Sequence, residues 1–115
     1  MNGYDIYRRV MSLLGYSLPD NPSDDRRLSR VLHILNQLAS DLKLDPVSSV
    51  SQEIKATELK AEALCYGCAM LLALAEGDGA KNRLFADIYN AKRASALSGC
   101  EIIEDTLPDV GSGGV

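Results

Sequence analysis

A chain of 115 residues with 46% hydrophobic side chains can bury the core of one domain, though not a large one. Five Tyr, one Phe and no Trp, set beside abundant Ala and Leu, speak against a sheet, which would draw on aromatic and β-branched residues. The net charge of −4 and pI of about 4.9 exclude the overall basic footprint of a nucleic-acid binder and leave only local basic faces open.

The first element predicted is a helix. Asn2 is its N-cap with Asp5 three residues on, and Tyr4, Ile6, Tyr7, Val10, Met11, Leu13 and Leu14 give it a broad apolar face before Gly15 ends it. Arg8 and Arg9 interrupt that apolar stretch, so no signal peptide is expected. A polar break, SLPDNPSDD, follows. In it Asn21 can cap a second helix, with Pro22 in the first turn and Asp24 and Asp25 at the positive end of the helix dipole. This helix runs to about Leu42, with Leu28, Val31, Leu32, Leu35, Leu38, Ala39 and Leu42 on one face and Arg26, Arg27, Arg30 and Asp41 off it.

From Lys43 to Thr57 the helical pattern stops. The stretch holds Pro46, several serines and the spaced apolar residues Val47, Val50 and Ile54, and Ser51 to Lys55 fits a short strand. A third helix spans Glu58 to Ala75. Its run ALCYGCAMLLALA has no charge, yet at 13 residues it is too short and too rich in Ala for a membrane span. It reads as the central helix of a bundle.

Glu76-Gly77-Asp78-Gly79 makes the turn into a fourth helix, with Asp78 as N-cap. Leu84, Phe85, Ile88, Tyr89 and Leu97 form its apolar stripe, and Lys81, Arg83, Lys92 and Arg93 its basic side. Ser98-Gly99 supplies a stop, with Gly99 able to take the left-handed conformation. The remainder, CEIIEDTLPDVGSGGV, has four acidic residues and no basic ones, and cannot build a core by itself. The expected fold is therefore all-α: about four helices in residues 1–99, an extended mid-chain loop and an extended C-terminal arm over residues 100–115. Both excursions carry apolar residues, Val47, Val50 and Ile54 in one and Ile102, Ile103 and Leu107 in the other. That pattern predicts neighbouring copies that cover them.

Catalytic and metal patterns are thin. Cys65 and Cys68 have the C-x-x-C spacing of zinc and redox sites, but they lie within a helix, with only Cys100 and His33 as further ligands. Two small residues filling a helix contact is the simpler reading. His33, the only histidine, has no nucleophile motif around it, and Glu76 to Gly79 lacks the other oxygen ligands of a calcium loop. No phosphate-binding glycine motif occurs. Neither an enzyme nor a cofactor is expected, and an odd number of cysteines without secreted-domain spacing fits folding in a reducing cytoplasm.

One resemblance stands out. The segment LCYGCAMLLALAEGDGAKNRLFADIYNAKRASAL, followed by IEDTLPDV, resembles the head-tail connector, or adaptor, proteins of tailed bacteriophages. In those proteins an Ala/Leu helix with a Tyr-Gly step leads through a Gly-Asp turn into a helix patterned F-x-x-x-Y-x-x-K-R. Here these are Tyr66-Gly67, Gly77-Asp78, Phe85, Tyr89, Lys92 and Arg93. The likeness covers about residues 24–109. It implies a helical protomer in a twelvefold ring of copies, placed at the virion neck between the portal and the tail proteins and passing DNA without reading its sequence. It also implies that the loop Leu44 to Thr57 contacts an adjacent subunit, that the tail after Gly99 reaches toward the portal or next ring, and that Lys92 and Arg93 serve protein contacts. A small helical regulatory or nucleic-acid-binding module presenting the basic helix is the alternative, weakened by the charge balance.

Overall fold

The computed structural model describes the backbone of residues 1–105 and the side chains of residues 1–98. It is a bundle of four helices: α1 (Gly3–Leu14), α2 (Arg26–Asp41), α3 (Glu58–Ala75) and α4 (Gly79–Asp105), with a 3₁₀ turn at Pro22–Asp24. Strands are absent among the described residues.

The caps explain where the helices begin. The Asn2 side chain accepts from the Asp5 N–H at 3.0 Å while the Asp5 carboxylate accepts from the Asn2 N–H at 2.9 Å, a reciprocal box that satisfies two unpaired donors. Gly15, at φ 73°, closes α1. The second helix starts later than expected. Asn21 does act as a cap, but for the 3₁₀ turn, accepting from the Ser23 N–H; α2 is capped by Asp25, which accepts from the Arg27 N–H at 3.0 Å.

The third helix lies at the centre. It packs against α1, α2 and α4, and its small residues Ala63, Cys65, Gly67, Cys68, Ala69 and Ala73 are buried, so neighbouring helices approach its axis closely. Around them pack Ile6, Tyr7, Val10 and Met11 of α1, Val31, Leu35 and Leu38 of α2, and Phe85 and Tyr89 of α4. The fourth helix rests principally on α3. Two expectations about it are corrected. Leu84 is 57% exposed, so the buried stripe is Phe85, Tyr89 and Ala96. Gly99 does not stop the helix either, which continues to Asp105 and takes in the first six residues of the expected extended arm. A glycine inside a helix costs only about 1 kcal/mol relative to alanine, too little to end one by itself.

The mid-chain loop belongs to the fold. Val47 is 2% exposed and Ile54 9%, while Val50 is partly buried against the same core. The side-chain amide of Asn36 both donates to the Val47 carbonyl at 2.6 Å and accepts from its N–H at 2.7 Å. At the far end Tyr4 N–H donates to the Val50 carbonyl and Ile54 N–H to the Met1 carbonyl. The strand expected from Ser51 to Lys55 reduces to one antiparallel bridge between Glu53 and Asn2. Gly3 is required there, because a Cβ would stand 2.8 Å from the Val50 Cα.

Candidate interaction surface

Two polar clusters fasten α4 to the bundle. In the first, Tyr89 lies against Gly67, where an added Cβ would come within 2.7 Å of the ring. Its hydroxyl donates to Asp41 at 2.5 Å, and Arg93 Nε donates to the same carboxylate oxygen at 2.7 Å. The Arg93 guanidinium, helped by the Tyr89 hydroxyl, holds Asp41 below the usual carboxylate range; burial and the facing carboxylate push the Tyr89 phenol up. The end of α2 is thereby tied to α4.

The second cluster joins three helices. Glu62 of α3 accepts from Arg9 of α1 at 2.8 Å and pairs with Lys92 of α4 at 3.2 Å. Those two cations lower its pKa, Arg9 first. Both also lie over the Tyr66 ring, at 5.9 Å and 5.6 Å from its centroid, and Phe85 meets the ring from α4 at 6.1 Å. Two positive charges therefore share one carboxylate.

The residues quoted for the resemblance thus act together. Tyr66, Gly67, Phe85, Tyr89, Lys92 and Arg93 all meet at the α3–α4 contact and its two clusters. Lys92 and Arg93 pair with Glu62 and Asp41 of the same protomer, and each side chain is still about 40% exposed. Val47 and Ile54, expected to touch a neighbouring subunit, face the protomer's own core because Asn36 and residues 1–4 hold the loop inward; Val50 keeps some outer surface. Ile102 and Ile103 lie on the last turns of α4, and Leu107 lies outside the described residues.

A line of α3 side chains was not anticipated as open surface. Leu59, Glu62, Tyr66, Met70 and Leu74 recur at three- and four-residue steps and so share one side of the helix. All are partly or largely exposed, Leu59 at 47% and Leu74 at 60%. Arg9, Phe85 and Lys92 reach across the middle of the line at Glu62 and Tyr66, and its two ends, Leu59 and Leu74, stay the most open.

Elsewhere the chemistry is quiet. Cys65 and Cys68 are buried free thiols; burial pushes Cys65 up to about 11 and Cys68 further, so neither forms a thiolate near neutral pH. His33 is exposed. Among the described residues, no three His, Cys, Asp or Glu come together as metal ligands. No described helix is long and apolar enough to cross a membrane. What the surface offers is an apolar line flanked by two aromatic-stacked cations, suited to protein contact. Comparison of the chain with models of known families, with curated proteins and with solved structures finds no match.

Proposed function

We propose that the chain is a head-tail connector of a tailed bacteriophage, a structural virion protein that assembles as a ring beneath the portal, continues the DNA channel and joins head to tail. One observation carries the reading. Six of the residues that carry the resemblance form one contact, in which the Tyr66-Gly67 step seats Phe85 and Tyr89 and the Lys92-Arg93 pair fastens the helix they lie on, and the Gly77-Asp78 turn joins the two helices. An all-α protomer with one helix longer than the bundle fits such a part.

The physical role follows from charge and symmetry. A ring needs a heterologous interface, in which one face of each copy meets a different face of the next. Because Val47 and Ile54 are turned inward, that interface falls to the open line of α3 and to the end of α4. A net charge of −4 suits a conduit that lets DNA pass, since a surface that neutralises phosphates would hold it.

Electron microscopy of the purified protein, alone and mixed with tail-less phage heads, tests the proposal. Rings, or added density at the portal vertex, are expected. A monomer that leaves the heads unchanged would overturn it.

A further inference from the structure

The chain's negative charge is concentrated at one end. Glu101, Glu104, Asp105 and Asp109 account for the whole net charge of −4, and the twelve acidic and twelve basic residues of the first 99 positions balance. Interleaved with these four are Ile102, Ile103, Leu107 and Val110, so the segment is both acidic and apolar.

The helix geometry carries the start of this segment past the end of α3. α4 has 27 residues and α3 has 18, about 40 Å against about 27 Å at 1.5 Å per residue. Eighteen residues of α4, to about Ala96, match the length of α3, and nine more residues of helix follow, about 13 Å. α4 turns back along α3 from the turn at Glu76 to Asp78, so its last turns run past the Leu59 end of α3.

The open line has the opposite character. Leu59, Met70 and Leu74 are apolar and partly or largely exposed, and Arg9 and Lys92 bring two positive charges to Glu62 beside the Tyr66 ring. We infer that this line receives residues 100–110 of a second copy, the acidic and apolar end of one protomer lying along α3 of the next. The contact is head-to-tail: each copy gives one end and receives another, which propagates into a closed ring or a filament. Charge and helix length carry this inference, and it does not rest on the connector reading. A chain that self-associates this way yet ignores phage heads keeps the inference and loses the reading.

The test is sedimentation velocity of the full chain over a concentration series at low and high salt. Wild-type protein is expected to associate with concentration, less so at high salt. The double variant Glu101→Lys/Glu104→Lys is expected to weaken association about tenfold or more, and Leu74→Glu, at an exposed position, similarly. Mixing the double variant with Lys92→Glu is expected to restore part of the association, because the reversed tail meets a reversed cation. Wild-type protein that stays monomeric at every concentration would overturn the inference. So would a tail variant that associates like wild type, or a mixture that regains nothing.

Discussion

The mid-chain loop and the far end of α4 look alike as sequence and differ as structure. Each is a stretch with spaced apolar residues and no clear helical stripe, and each invites the reading of an arm that reaches for a neighbour. The loop turns inward, with Val47 and Ile54 buried; the end of α4 stays helical to Asp105, past the length of α3. What separates them is where the backbone polar groups find partners. The loop's are met within the protomer, by the Asn36 amide and by the carbonyl of Met1 and N–H of Tyr4, so its apolar side chains can be buried without orphaned donors. The end of α4 satisfies its own backbone by remaining a helix and needs no partner for that purpose.

The comparison breaks most visibly at Val47. Val47→Asp places a carboxylate in the core and is expected to destabilise the protomer by on the order of 4 kcal/mol, a large share of a total near 5–15. Urea denaturation would measure it; a loss below about 1 kcal/mol would mean that the loop is not anchored. Asn36→Ala should follow, at about 2–3 kcal/mol, because it strips both the donor and the acceptor from a buried peptide group. If Asn36→Ala unfolds at the wild-type urea concentration, the loop has another anchor.

Gly67→Ala tests the other side of the comparison, the seat of α4 on α3. A methyl group 2.7 Å from the Tyr89 ring forces it outward and disturbs the Asp41 contact, for an expected loss of about 1–3 kcal/mol. A thermal melt unchanged from wild type would show that α4 can slide without penalty.

A pH dependence comes next. Asp25 caps α2, accepts the Tyr7 hydroxyl at 2.6 Å and pairs with Arg27 at 2.9 Å, and the Arg27 guanidinium holds its carboxyl down to about 2. The unfolded chain takes up this proton near pH 3.8 and the folded chain resists until about 2. Stability from this group is therefore present above pH 4 and lost as pH falls toward 2, about 2 kcal/mol in all. Asp25→Asn keeps a capping residue and should flatten that part of the pH profile, read as urea midpoints between pH 2 and 5. The smallest effect belongs to the tail: Glu101→Lys should leave protomer stability within about 0.5 kcal/mol, since at that position α4 has run past the length of α3, the helix it rests on.

Much of the bundle was legible because its signals are local. The Asn2 and Asp5 box, Gly15 and the turn at Glu76 to Gly79 are each complete within a few residues, and the apolar spacing of α1 and α2 needs no tertiary knowledge. The start of α2 was misplaced because Asn21-Pro22 and Asp25 are both good caps four residues apart, and only the 3₁₀ turn between them decides their order. The loop was unreadable for a different reason: its fate depends on Asn36, eleven residues before Val47, and on the chain terminus nearly fifty residues away. The pairing of Lys92 and Arg93 with Glu62 and Asp41 was hidden likewise, since a basic helix face looks the same whether solvent or a carboxylate from another helix meets it.

Hydrogen exchange on the free protomer and on the assembled protein separates the two regions most directly. The Val47 and Ile54 amides are expected to be slow in both states, and those of residues 100–110 to slow further on assembly. A loop that exchanges freely until assembly, beside a tail that never changes, would contradict this expectation.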